Sequence, residues 1–214
     1  MDYGEIMNSA YIFGSGGFSK ELLQLTSDCD VNIDALIGEK SGHIDEYQII
    51  NELEFYPQGS FDAYIAIGAP KIRKSIIENL ILKFGERIQF PNLIHPAARI
   101  MGLKNQKNIQ IGYGNIFTAN CIVTSHIKIG NFCHFNLSTT IGHDTEIGDY
   151  FTTAPGVNIS GNNKIGNFTY FGTNSCTREK VQITDNVIVG AGAAVVSNLI
   201  EAGTYVGVPA KKIK

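Results

Sequence analysis

The chain has 214 residues, 43% of them hydrophobic and only 17% charged, with a formal net charge of −3. That excludes a disordered chain, gives no basic excess for neutralising phosphates along a nucleic acid, and contains no 18-residue apolar run that could span a membrane. The four cysteines, Cys29, Cys121, Cys133 and Cys176, form no CxxC pair and no zinc spacing. No metal is therefore expected. The first ten residues carry acids and no cleavable apolar stretch, so the protein is expected in the cytoplasm with its thiols reduced.

The first hundred residues alternate strands and helices. Ala10 to Phe13 is a short apolar run ended by the turn Gly14-Ser15-Gly16-Gly17, and Phe18, Leu22, Leu23 and Leu25 then recur at helical spacing up to Thr26. A second strand is predicted over 32–37, a third over 63–67, and an amphipathic helix over 71–84. This order implies a small parallel sheet with helices on its faces. Gly14, Gly38 and Gly68 close the strands, at the edge where open sheets bind ligands.

From residue 105 the period changes. Every sixth residue from Ile111 to Val195 is aliphatic or Phe, with Thr153 and Thr177 the two exceptions among fifteen positions, and the next residue is often Gly. Neither 3.6 nor 2 produces a sustained period of six. A parallel β-helix does, since each short strand sends one large side chain inward before a tight turn. Three faces per coil give about five coils, roughly 24 Å tall at strand spacing. Flat sides of this kind imply packing with identical copies.

The [LIV]-G-x4 hexads, the turn Phe13-Gly-Ser-Gly-Gly-Phe18 and the ending Tyr205-Val-Gly-Val-Pro-Ala-Lys211 together resemble the hexapeptide-repeat sugar acyltransferases of the sialic-acid O-acetyltransferase type. Within them the pattern is most similar to N-acetyltransferases for nucleotide-linked 4-amino-4,6-dideoxy sugars, including the bacillosamine-pathway enzyme. The resemblance implies a Rossmann-like nucleotide-sugar domain over 1–95, a left-handed parallel β-helix over 96–214, a homotrimer, and acetyl-CoA between neighbouring helices. It implies an N-acetyltransferase acting on the 4-amine of a UDP- or dTDP-linked sugar for a surface glycan. O-acetylation of a sugar hydroxyl is the alternative enzyme, and a non-catalytic ligand-binding scaffold the alternative outside enzymes.

By the same resemblance, Ile141-Gly-His-Asp-Thr-Glu-Ile-Gly148 matches the catalytic stretch, with His143 as general base and Asp144 as its partner. A histidine suits a base at neutral pH, and a carboxylate on its other ring nitrogen fixes the tautomer. Adjacent strand residues point to opposite faces, so the pair can cooperate only at a turn; Glu146 is the alternative partner. Gly161 matches an oxyanion N–H donor, expected near the base on a neighbouring subunit. Thr152, Thr173 and Ala191 match CoA contacts. Asn136 matches an active-site asparagine that either orients the acceptor amine or caps a turn. For the nucleotide sugar the matching positions are Gly16, Gly17, Phe18, Glu39, Ile67 and Gly68. The first turn lacks the third glycine of GxGxxG, which argues against dinucleotide chemistry. His126 and His134 match no role, His95 is expected to be structural, and His43 lies in a polar loop.

Overall fold

The computed structural model describes residues 9–103 and 108–214. They divide into two compact units: the first reaches to Ile67 and resumes over Ile72–Pro91, and the second takes Gly68–Lys71 and Asn92–Lys214.

The first unit carries β1 (Ser9–Phe13), α1 (Gly17–Asp28), β2 (Ala35–Gly38), β3 (Gly42–Ile44), β4 (Tyr47–Asn51), β5 (Phe61–Ile65), most of α2 (Pro70–Phe84) and β6 (Ile88–Gln89). The sheet order is β3-β4-β2-β1-β5-β6, parallel except for the β3–β4 hairpin. Leu22, Leu23 and Leu25 of α1 are buried, as the helical spacing predicts. Near-perpendicular rings of Tyr11, Phe55, Phe61 and Phe84 pack at centroid distances of 4.7–5.7 Å.

Three details differ from the sequence reading. The third strand ends at Ile65 rather than Ile67, because Ala66 N–H makes its last bond to Phe13 O (2.8 Å) before the chain turns away. The second strand begins at Ala35, after the Asp34 carboxylate has accepted the Ala10 N–H (3.2 Å). The hairpin over 42–51 went unpredicted: its half-exposed, polar sequence hides the alternation, and Asp45 at φ 51° makes its tight turn.

The second unit is a left-handed β-helix. Its short strands stack in three faces, of eight, six and five strands, all parallel except the terminal strand Lys211–Lys212. Between Ile109 and Val195 paired residues lie eighteen positions apart, as in Phe117 with Phe135 and Ile141 with Ile159, so three hexads make one coil. From Phe117 onward every hexad position named above is buried, both threonines included. The stack starts earlier than Ile111: Leu93–Ile94 and Arg99–Ile100 already pair with its coils.

The glycine after each core position has a steric cause. A Cβ on Gly130 would stand 2.8 Å from Gly148 C, and one on Gly142 2.5 Å from Gly161 N, so coil-to-coil spacing leaves no room for a side chain. Two residues later the backbone turns left-handed at every corner. Every sixth residue from Asn108 to Gly192 has positive φ, yet only Gly114, Gly156 and Gly192 of these are glycine. One corner places Phe132, Tyr150 and Phe168 in this conformation, which costs an L-residue about 1–2 kcal/mol. Their rings stack, Phe132 on Tyr150 at 5.5 Å and Tyr150 on Phe168 at 5.1 Å, and offset part of that cost. On the same corner the N–H groups of Asn131, Asp149 and Asn167 each bond the Asn or Asp side chain one coil on, at 2.7–2.8 Å.

Candidate active site

His143 and Asp144 occupy a corner of the β-helix. Asp144 takes the left-handed conformation (φ 56°), which turns its side chain back onto the preceding residue. His143 Nδ1 then lies 2.6 Å from Asp144 Oδ2. An ionised carboxylate only accepts hydrogen bonds, so Nδ1 carries the proton and Nε2 is left with its lone pair outward. The pair is half exposed (59% and 50% of the side chains) and so open to a reactant. Asp144 reaches the ring despite its short side chain. Glu146 does not take part: it pairs with Lys128 at 3.3 Å on a neighbouring face.

Gly161 stands one coil on, directly beside the imidazole. A Cβ built there would lie 2.8 Å from His143 Nε2 and 2.9 Å from Cε1. The backbones are tied by Asn162 N–H to His143 O (2.7 Å) and by Asp144 N–H to Ser125 O (3.1 Å). Gly161 is therefore a neighbour of His143 within the same chain. At the equivalent position on the aromatic corner, N–H groups are taken by stacked Asn and Asp side chains. Here the next coil offers Glu179, and among the described residues the Gly161 N–H donates to no protein group. A free N–H beside a free imidazole lone pair can stabilise an oxyanion next to a base.

The other expected CoA contacts do not join this corner. Thr173 and Ala191 are exposed and lie eighteen residues apart on a different corner, tied by Gly192 N–H to Thr173 O (2.8 Å). Thr152 is buried, and its Oγ1 donates to Gly68 O (3.2 Å), both within the second unit. Asn136 caps its own turn, its Oδ1 accepting the Leu137 N–H (2.7 Å), and sits on the corner of Thr173 rather than that of His143.

In the first unit a cleft of about 720 Å³ opens at the carboxyl ends of β1, β2 and β5, where the strand order reverses. Gly16, Glu39 and Ile67 line it, with Gly16 at the N-cap of α1. Gly14 (φ 117°) sits 3.1 Å in Cβ reach from Ala66 O, and a Cβ on Gly38 would meet Ser15 Oγ at 2.6 Å, so both glycines let the loops close on the cleft floor. Buried Arg73 of α2 donates from Nη1 to Ile67 O (2.7 Å) and steadies that loop. Gly17, Phe18 and Gly68 are not in the lining, and Gly68 belongs to the second unit. Sequence reasoning missed Lys40, Glu52 and Asn79, which do line it. Glu52 follows the unpredicted β4, so locating that strand would have found it.

Among the described residues no three His, Cys, Asp or Glu side chains gather in a metal-binding group, and no helix is long and apolar enough to cross a membrane.

Residues 9–80 match the family model described as the PglD N-terminal domain. GDP-perosamine N-acetyltransferase of Escherichia coli O157:H7 is 29% identical over 202 residues, covering 88% of this chain and 78% of the relative. The acetyltransferase domain of PglB from Neisseria gonorrhoeae FA1090, solved with acetyl coenzyme A, is 26% identical at a TM-score of 0.86, covering 97% and 100% of the two chains. PerB from Caulobacter crescentus, solved with CoA and GDP-perosamine, shares the fold at a TM-score of 0.87 and 22% identity, over 96% and 97% of the chains. The chain is an acyltransferase homologous to GDP-perosamine N-acetyltransferase and to the acetyltransferase domain of PglB, with a match to the PglD N-terminal domain over residues 9–80 ahead of a left-handed β-helix.

Proposed function

We propose that the protein transfers the acetyl group of acetyl-CoA to the 4-amino group of a nucleotide-linked 4-amino-4,6-dideoxy sugar, for a surface glycan. The observation that carries this reading is the corner itself: Asp144 holds the His143 proton on Nδ1, leaving Nε2 free beside the unpartnered N–H of Gly161. The amine nitrogen attacks the thioester carbonyl carbon, and the Gly161 N–H supports the negative charge gathering on its oxygen. His143 Nε2 takes the proton the nitrogen loses, the C–S bond breaks, and the same proton passes to the departing thiolate. The products are an amide and the free CoA thiol, with no covalent enzyme intermediate.

The glycine-turn cleft suits the nucleotide diphosphate, since Gly16, the N-cap of α1, lines it. The sequence resemblance suggested UDP or dTDP; GDP enters through the E. coli relative. A homotrimer with acetyl-CoA between helices is supported by apolar side chains left outward on the β-helix, among them Ile122, Leu137, Ile188 and Val196, each 39–46% exposed. A cytoplasmic location accords with the substrates, both of them cytoplasmic metabolites in kind. The test is incubation with acetyl-CoA and nucleotide-linked 4-amino sugars, with the product read by mass spectrometry and NMR. The acetyl group is expected on nitrogen; an acetylated hydroxyl on the same sugar would overturn the reading.

A further inference from the structure

The core positions of the hexad depart from aliphatic or Phe twice, at Thr153 and Thr177. Each hydroxyl accepts an N–H from a corner in the coil before: Thr153 Oγ1 from Asn136 (2.9 Å) and Thr177 Oγ1 from Ser160 (3.1 Å). Ser160 precedes the Gly161 that stands beside His143, and its other polar groups are held by the same cluster. Its Oγ donates to Thr177 O (2.7 Å), and its carbonyl oxygen accepts from Asn163 Nδ2 (2.7 Å), with Thr145 Oγ1 at 3.4 Å. Asn163 is fully buried. Its Nδ2 also reaches Thr177 Oγ1 (2.7 Å) and Arg178 O (3.1 Å), and its Oδ1 accepts the Val181 N–H (2.7 Å).

Asn115 separates the bonds that the coil needs from those that are extra. Like Asn163 it is buried two residues before a core position, and its side chain bonds Gly130 O (3.0 Å) and the Cys133 N–H (2.7 Å), the counterparts of Arg178 O and the Val181 N–H. Among the described residues that side chain bonds nothing in its own turn. The bonds from Asn163 to Ser160 O and Thr177 Oγ1 are therefore additional to the coil-to-coil ladder. At the Asn136 corner the backbone shares this task, with Thr139 donating to Asn136 O from its N–H (3.1 Å) and its hydroxyl (2.7 Å). At Ser160 O, among the described residues, side chains do it alone.

We propose that Asn163 is a positioning residue for acetyl transfer, aiming the Gly161 N–H out of the β-helix at the oxygen of the attacked carbonyl. The inference rests on the reading of this corner as the acetyl-transfer site. A trans peptide sets its C=O and N–H in opposite directions. The Ser160–Gly161 bond is trans, so a carbonyl held by a fully buried amide sends the following N–H outward. A carbonyl that accepts a hydrogen bond also polarises its own peptide and strengthens that N–H as a donor. Without the hold, glycine offers little resistance to rotation of the plane. A turned plane would present a carbonyl oxygen to the developing negative charge.

Steady-state kinetics on the amino sugar that the natural protein acetylates test this, with melting temperatures in parallel. Asn163→Leu is expected to lower kcat about thirtyfold or more, approaching the loss of an oxyanion donor itself, with KM for acetyl-CoA within about twofold. Asn115→Leu loses only the ladder bonds, and should lower the melting temperature comparably while keeping kcat within about twofold. Thr177→Val keeps the side-chain shape and should lower kcat about three- to tenfold, the worth of one hydrogen bond. Thr177→Ser, which retains the hydroxyl, should recover most of that loss. Unchanged kcat in Asn163→Leu, or in Thr177→Val where Asn163→Leu does not fold, would overturn the positioning role, as would an equal loss of kcat in Asn115→Leu. An impaired Gly161→Ala would then leave the reading of the corner standing; a fully active Gly161→Ala would overturn both.

Discussion

Gly161 and His143 are in contact across two successive coils: a single methyl on Gly161 would stand 2.8 Å from the Nε2 that has to accept a proton. The contact arises from the eighteen-residue coil, which stacks position 161 on position 143 and brings a backbone N–H beside the base. Because the imidazole is half exposed, a substitution here disturbs the chemistry before it disturbs the fold.

Gly161→Ala should therefore lower kcat by about tenfold or more while changing the melting temperature little, since the methyl displaces the ring and crowds the oxyanion position. Gly161 is not among the residues of positive φ, so alanine brings no backbone strain. Steady-state kinetics with a parallel thermal melt separate the two effects. A large loss of stability at full activity would contradict the placement.

Asp144→Asn isolates the tautomer. Asparagine tolerates the left-handed backbone at this corner, where φ is 56°, and keeps the side-chain shape. It no longer obliges Nδ1 to hold the proton. The expected result is a fall in kcat of about tenfold to a hundredfold with KM for acetyl-CoA unchanged. An unchanged kcat would remove Asp144 from the mechanism.

Inside the β-helix, Phe135 lies between Phe117, stacked at 4.5 Å, and Phe151 at 5.8 Å. It is 1% exposed. Phe135→Ala should cost about 3–5 kcal/mol, because parallel coils cannot close over the void. Urea unfolding measures it; a loss below about 1 kcal/mol would mean the coils relax more than their glycine contacts allow.

Alkaline pH should weaken the fold from two places at once. Burial pushes the Cys121 thiol up to about 11 from 9.0, and burial with the nearby Asp62 charge pushes Tyr64 up to about 12 from 10.0. Both groups are held neutral in the folded state, so their contribution is complete below pH 9 and is lost as pH rises toward 11 and 12. Melting temperature should be level up to about pH 9 and then decline. Cys121→Ala, less stable at neutral pH, should lose less between pH 9 and 11; an equal slope would contradict the assignment.

The hexad was readable because two of its positions have narrow requirements. Ile141, Ile147 and Ile159 must fill the core, and Gly130, Gly142 and Gly148 must let the next coil approach. The left-handed corner was hidden because residues such as Phe132, Tyr150 and Lys180 occupy it, and none of these types advertises positive φ. His143 and Asp144 could be read as a pair at a turn. Which other residues join them depends on a spacing of eighteen rather than six: Gly161 meets that spacing from His143, while Asn136, Thr173 and Ala191 do not. In the first unit the glycine turn was readable, but Glu52 and Asn79 reach the cleft through β4 and the middle of α2, where no local motif marks a ligand.

The most direct measurement is release of CoA thiol from acetyl-CoA with UDP-, dTDP- and GDP-linked 4-amino sugars, comparing the natural protein with His143→Ala. The account predicts turnover on at least one of these amines and a loss of about a hundredfold or more in the variant. Equal turnover in the variant, or none by the natural protein on any amine while a sugar hydroxyl is acetylated, would contradict it.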